Sequence, residues 1–280
     1  MSILTTLRYR LGKLLKADPP ALNGYSGRFD DWLQAKGQSA GYQDPEIAGK
    51  VAAAVGTVLS GAAVYERDSV TFDHRQFSFP VATALLWAAS KCGGGLRVLD
   101  FGGGLGTSFF QNKPFMNWVP DLEWAIVEQP SFVAQADKLF SSTQLRFYSG
   151  IEEGLRETQP QLALLSSSLQ YVERPYEVLD AIFKEKIEVV VIDRTLFSDE
   201  SSDYVTQQHV PAEIFSAVIP TWIFSKKKFM EYMERHYRLV SQFSAFQSTV
   251  DLDMEKRGLQ ELGYLFVLRD SGYDLALSHT

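Results

Sequence analysis

Cysteine is almost missing from this 280-residue chain: Cys92 stands alone, so no intramolecular disulfide can form. That fits a reducing, cytoplasmic setting. Histidine is scarce too. The four histidines show no H-x-x-x-H pair and have a single thiol for company, so no metal site is expected. Positive charge is not in excess either. A net charge of -7 argues against non-specific nucleic-acid binding, which needs a positive field over the phosphates. Long apolar runs are also lacking. No segment reaches the roughly 18 uninterrupted apolar residues of a spanning helix, so no integral membrane span is expected. Arg8, Arg10, Lys13 and Lys16 are spread through the N-terminal stretch rather than preceding an apolar run, so no secretory leader is expected there.

What is present suits a packed core: 45% of residues are hydrophobic and 13% aromatic. Residues 3–16 read as a basic amphipathic helix carrying Ile3, Leu4, Leu7, Leu11, Leu14 and Leu15 near one face, stopped by Asp18-Pro19-Pro20. Such a helix docks its leucines on the protein body or makes weak peripheral contact with an anionic membrane. Residues 21–45 look irregular, with glycines punctuating the aromatics Tyr25, Phe29, Trp32 and Tyr42. Helices are expected over 46–64 and 81–92, so residues 1–95 form an N-terminal helical and irregular cap within one compact unit.

From residue 96 short β-branched runs alternate with longer segments. Strands are expected at 96–101, 123–129, 145–149, 161–167, 187–194 and 259–271, with SGYDL beginning a hairpin return. This rhythm predicts an α/β fold: a Rossmann-like, doubly wound, mostly parallel sheet over 96–280.

The sharpest local pattern is VLDFGGGLGTSFF, residues 98–110. Glycines at alternate positions let the backbone turn tightly and meet a ligand without an intervening Cβ. The helix that follows offers free N–H groups to an anion. A dinucleotide fingerprint, G-x-G-x-x-G, would need a third glycine at Thr107 or Phe109, and the frame fails both ways. The pattern D-x-G-x-G-x-G fits Asp100, Gly102, Gly104 and Gly106. It resembles motif I of class I S-adenosylmethionine-dependent methyltransferases, in which the loop contacts the methionine part of the cofactor. Glu128 ends the second strand, 22 positions after Gly106, where an acid can accept hydrogen bonds from ribose hydroxyls.

The resemblance implies S-adenosyl-L-methionine as cofactor. It implies contacts from Asp100, Phe101, Gly102, Gly104, Gly106 and Glu128, with Gln129 shaping the adenosine pocket. After the third strand the family often carries an acid for the adenine amino group. Here Ser149, Gly150 and Ile151 stand in its place, so backbone contacts and packing by Ile151 are expected instead. Ser167, Gln170 and Tyr171 follow the fourth strand, where a loop closes over the methyl group. Tyr171 is alternatively a packed aromatic.

The ordered strings YSGRFDDW, YERDSVTF, FPVATALLW, VEQPSFV, LLSSSLQYVERPY and VVIDRTLF extend the likeness over about residues 25–225. They resemble a group of bacterial methyltransferases associated with surface-polysaccharide and O-antigen gene regions. That implies a small-molecule acceptor, a sugar or glycan precursor, and O-methylation.

An alcohol acceptor needs help to lose its proton. His209, Asp193 and Tyr171 are the catalytic candidates. Tyr65, Arg67, Asp68, Gln170, Arg194 and Trp222 are the substrate candidates. Arg194 suits an anionic group or a salt bridge with a nearby acid such as Asp193, and Arg67 and Asp68 close over the cofactor or pair with each other. Lys226, Lys227 and Lys228 read as a solvated helix face. Two other readings stand beside methyl transfer: a nucleotide-cofactor oxidoreductase, and a non-catalytic scaffold of the same fold.

Overall fold

A computed structural model describes residues 24–37, 45–93, 95–140, 144–210, 217–246, 254–255 and 258–278. The amphipathic segment expected over 3–16 lies outside them. The parallel core consists of β4 (Gly95–Phe101), β5 (Asp121–Val127), β6 (Leu145–Tyr148), β7 (Leu162–Ser166) and β8 (Val189–Ser198). These pair in the order β6-β5-β4-β7-β8, all parallel. They read as near-continuous apolar runs because helices cover both faces: Val189, Val190, Val191 and Ile192 are all fully buried.

Beyond β8 the order departs from the doubly wound dinucleotide pattern. β12 (Leu259–Leu268) pairs antiparallel with β8, and β11 (Tyr237–Ser244) pairs antiparallel with β12. Numbered within this sheet, the order is 3-2-1-4-5-7-6 with the seventh strand reversed, against 3-2-1-4-5-6 in the dinucleotide fold. The expected α/β fold with a mostly parallel sheet is therefore present. The SGYDL segment is not a hairpin return: residues Gly272–Ser278 form a helix, with Tyr273 seated against Trp87 and the Ala88 carbonyl.

The N-terminal part contributes strands as well as helices. β1 (Gly24–Phe29) occupies the stretch expected to be irregular, followed by α1 (Trp32–Lys36) and α2 (Pro45–Leu59). β2 (Tyr65–Arg67) and β3 (Val70–Phe72) make a hairpin, and α3 (Phe79–Lys91) packs Val81, Ala84, Leu85 and Ala88 on the sheet. The hairpin turn is Asp68-Ser69, with φ 52° and 65°, the left-handed pair that a two-residue turn matching strand twist demands.

β9 (Tyr204–Val210) and β10 (Ala217–Ser225) add an antiparallel ribbon, with β1 as its outer strand. Phe224 and Ser225 join it to the last residues of β8. α2 then spans the top, burying Ile47, Ala48, Val51 and Val55 against Leu105 of the glycine loop, Phe132 and Ile219. At the carboxyl ends of β4, β5 and β7, the edge where open α/β sheets bind ligands, α2 packs on Leu105 of the glycine loop and the β2–β3 hairpin on Thr107, and this edge is the candidate crevice.

Candidate functional site

The loop from β4 to α4 (Thr107–Met116) has Gly102, Gly104 and Gly106 at φ 70°, 59° and 99°, a region open to glycine and costly for other residues. Two further constraints come from packing. A Cβ on Gly102 would lie 2.4 Å from Ser168 Cβ, and one on Gly103 would lie 2.5 Å from the Asp100 carboxyl. Gly104 differs. Its missing Cβ faces open space, with Thr107 Oγ1 the nearest atom at 4.0 Å. Gly104 is the point at which the loop can meet a ligand.

Asp100 lies beneath this loop rather than beside the opening. It is buried and accepts a 3.0 Å hydrogen bond from Trp124 Nε1. Burial pushes its carboxyl up to about 7, against the Trp124 bond and with the help of Glu128. Lying directly under Gly103, it shapes the loop. Phe101 is half-buried and packs on the core under the crevice.

Glu128 stands at the end of β5. Its Oε1 accepts from the Gly104 amide at 3.3 Å and its Oε2 from the Gln129 amide at 2.8 Å. One carboxylate therefore ties the first two βα loops together at the mouth of the crevice. Burial raises its pKa, and the two backbone amides oppose the rise. Gln129 caps α5 (Pro130–Leu139). Ile151 opens α6 (Ile151–Thr158) and lines a groove with Val172, Arg174 and Val178. Val172 was not among the expected residues, because its role depends on a turn from another strand.

Where the parallel pairing of β7 with β8 ends, several polar groups converge. Asp193 pairs in register with Ser166, whose hydroxyl donates to Asp193 Oδ2 at 3.1 Å. Asp193 Oδ1 is buried and has no hydrogen-bond partner among the described residues. Burial raises the pKa of this carboxyl, with Arg194 and Ser166 opposing. Ser167 is held at φ 53° by the bond from its amide to the Asp193 carbonyl. Next to it, Ser168 Oγ is buried and unpartnered among the described residues.

β8 bulges at this point: Ile192 faces Tyr264 and Thr195 faces Leu262, so Asp193 and Arg194 together oppose Gly263. The bulge places Arg194 at φ 50° and turns its guanidinium to the hairpin, where Nη2 lies 3.5 Å from Asp68 Oδ2. Asp68 also lies 3.9 Å from Arg67 Nε. Asp68 thus pairs with Arg67, one of the two expected readings, and also with Arg194 across from the hairpin. The ion-pair partner of Arg194 is Asp68 of the hairpin, not its neighbour Asp193. Gln170 is buried, with Nε2 donating to the Arg194 carbonyl.

Three expected residues sit elsewhere. His209 lies within β9, not on a loop after the fifth strand as its position in QQHVP led us to expect, and its ring is bonded to Ser26 Oγ at 2.5 Å. Strand alternation settles its direction. Gln208 faces the crevice, with its Oε1 accepting from Tyr171 OH at 2.8 Å, whereas Gln207, on the same face as His209, bonds the Ala35 carbonyl of α1. His209 therefore points away from the crevice. Trp222 stacks on Trp32 at 6.2 Å and donates its N–H to the Val172 carbonyl, so it holds the ribbon to the turn. Tyr65 is buried, packed on Phe72 with its hydroxyl 3.4 Å from Gln111 Nε2. Tyr171 stays protonated, its phenol pushed up to about 12 by burial.

Glu66 was missed. It is buried, its Oε1 takes a hydrogen bond from Thr107 at the start of α4, and burial lifts its carboxyl to about 7. The string YERD carried it, but nothing in the sequence placed it against the glycine loop. Each lysine of the run has an acidic partner: Lys226 pairs with Asp199 at 2.7 Å, Lys227 with Glu231 one turn on at 3.9 Å, and Lys228 with Asp203, whose side chain is buried. Among the described residues no group of acids, histidines and cysteine is gathered to hold a metal, and no helix is long and apolar enough to cross a membrane.

No family model matches the chain, and no curated protein matches it. Solved structures of similar shape exist at low identity. The N-terminal domain of EvdMO1, crystallised in the presence of SAH and D-fucose, is 11% identical, covering 73% of this chain and 90% of that one at a TM-score of 0.47. CalS10, an amino pentose methyltransferase from Micromonospora echinaspora solved with SAM bound, is 13% identical, covering 68% and 89% at 0.40. An S-adenosylmethionine-dependent methyltransferase from Clostridium acetobutylicum is 12% identical, covering 77% and 97% at 0.42.

Proposed function

We propose that this protein is an S-adenosylmethionine-dependent methyltransferase acting on a small acceptor, with O-methylation of a sugar or glycan precursor as its reaction. The observation that carries this reading is Glu128 bonded to Gly104 across the crevice mouth. An acid positioned for a ribose diol stands beside a glycine whose open face admits a ligand. The loop lacks the third glycine of a dinucleotide site, and the sheet departs from the dinucleotide order. Both features speak against the oxidoreductase alternative.

The residues present fit the cofactor. Glu128 and the Gln129 amide would hold the ribose, Ile151 and Val172 the adenine, and the Gly102–Gly106 loop the methionine part. When bound, the cofactor supplies a methyl group on a positively charged sulfur, open to in-line displacement. The chain's own task is to align an acceptor oxygen, exclude water and take up a proton. α2, packed on Leu105, and the hairpin, bonded to Thr107, would keep water from the bound cofactor. Asp193, with an unpartnered Oδ1 and a raised pKa, is suited to receive the proton. Arg194, freed from Asp68, would meet an anionic group on the acceptor, such as a carboxylate or phosphate. Incubation with methyl-labelled S-adenosylmethionine and a panel of nucleotide sugars and uronic acids tests the reading. Label transferred to an anionic sugar supports it. Cofactor binding without transfer to any acceptor would favour the scaffold alternative.

A further inference from the structure

We infer that Glu66 binds the α-ammonium group of S-adenosylmethionine, closing the end of the cofactor site opposite Glu128. The inference rests on the crevice being the site proposed above, and it assigns a residue that no motif singled out.

The argument begins with an unsatisfied atom. Glu66 is 3% exposed, and its Oε2 is buried with no hydrogen-bond partner among the described residues. A buried carboxylate oxygen without a partner is costly, and such atoms are retained chiefly where a ligand completes them. The other oxygen is fixed by Thr107, the first residue of α4, so the carboxyl has one defined position.

Placement supplies the second observation. Thr107 Oγ1 is the atom nearest the missing Cβ of Gly104, at 4.0 Å. The Gly104 amide in turn bonds Glu128. Gly104 therefore lies between two carboxylates, one on the β5 side and one reaching it through Thr107 on the hairpin side. A ligand lying along the loop with a ribose at one end and an amino acid at the other meets an acid at each end.

The charges agree. Gly106, the cap residue of α4, provides no side-chain cap, so the helix start is open to the ligand carboxylate. The ammonium sits on the same carbon as that carboxylate, and Glu66 is the acid at the helix start. Within the same hairpin the Ser69 amide and Arg67 favour the charged form of Glu66 and Asp68 opposes it.

Calorimetry on the full chain distinguishes the possibilities, with S-adenosylhomocysteine and its analogue lacking the amino group as probes. The wild type is expected to bind the desamino compound about 10-fold or more weakly, because a charge-assisted hydrogen bond is lost. In Glu66→Gln the two compounds are expected to bind equally. The amide retains an acceptor for Thr107, and Thr107→Val serves as a second variant that keeps the charge and should still discriminate between the compounds. Equal affinity of the two compounds for the wild type, or undiminished discrimination in Glu66→Gln, overturns the assignment. Failure of the wild type to bind either compound overturns the site itself, and this inference with it.

Discussion

Glu128 and Gly104 belong to different βα loops, yet the glutamate Oε1 accepts a 3.3 Å hydrogen bond from the glycine amide. The same carboxylate takes a second bond from the Gln129 amide. A side chain fixed twice by backbone loses little entropy when a diol replaces or joins those bonds. Replacing it should therefore damage ligand binding more than folding. Glu128→Ala is expected to lower affinity for S-adenosylhomocysteine by roughly 10- to 100-fold, the worth of one or two charged hydrogen bonds. Calorimetry measures this; an unchanged affinity removes Glu128 from the site.

The loop itself is held by contact as much as by conformation. Gly102→Ala would place a methyl group 2.4 Å from Ser168 Cβ at a φ of 70°. We expect a loss of about 2 kcal/mol or more in unfolding free energy by urea titration. A loss below about 0.5 kcal/mol, the scale of a neutral surface change, would show that the β4 and β7 loops are not in this contact.

Asp100 gives a pH dependence. Its folded value, about 7, exceeds that of an unfolded aspartate, so the folded state holds the proton more tightly. Stability from this group is complete below the unfolded value. It falls as pH rises from about 4 to about 7, then levels off. Glu66, also raised to about 7, adds to the same slope. Asp100→Asn keeps an acceptor for Trp124 and removes the ionisation. Chemical denaturation from about pH 4 to about pH 8, a range that brackets both values, should show a flatter profile and higher stability at the upper end. An identical slope in the variant would contradict the assignment.

The catalytic candidates separate cleanly. His209 faces α1 and Ser26, so His209→Ala should change turnover by less than about 3-fold, within the range of indirect effects. Asp193→Asn should lower turnover by about 100-fold while leaving cofactor affinity nearly unchanged, the pattern of a lost proton acceptor. The reverse result, a silent Asp193→Asn and a dead His209→Ala, would move the chemistry to the other face of the ribbon.

Legibility in the sequence followed the range of the interactions. The βα turn at Gly102–Gly106 is local, and its spacing alone spoke against a dinucleotide. Glu128 was equally legible, because strand length fixes its distance from the loop. His209 was misplaced because β9 exists only through pairing with β1 and β10, and Gly24 of β1 meets His209 from the far end of the chain. Glu66 was overlooked for a related reason. Its neighbours Tyr65, Arg67 and Asp68 have the same local credentials, and only the approach of the hairpin to Thr107 selects it. The sequence ended the fifth strand at Arg194, whereas β8 runs on to Ser198, and both that extension and the bulge that turns Arg194 to Asp68 depend on the antiparallel β12.

The central claim is that the glycine loop and Glu128 hold S-adenosylmethionine. Titration of the full chain with S-adenosylhomocysteine by isothermal calorimetry tests it most directly. One-to-one binding with a dissociation constant in the micromolar range, about -8 kcal/mol, is the result predicted. No heat of binding at about 1 mM ligand, where even a site worth only -4 kcal/mol is half filled, would contradict it.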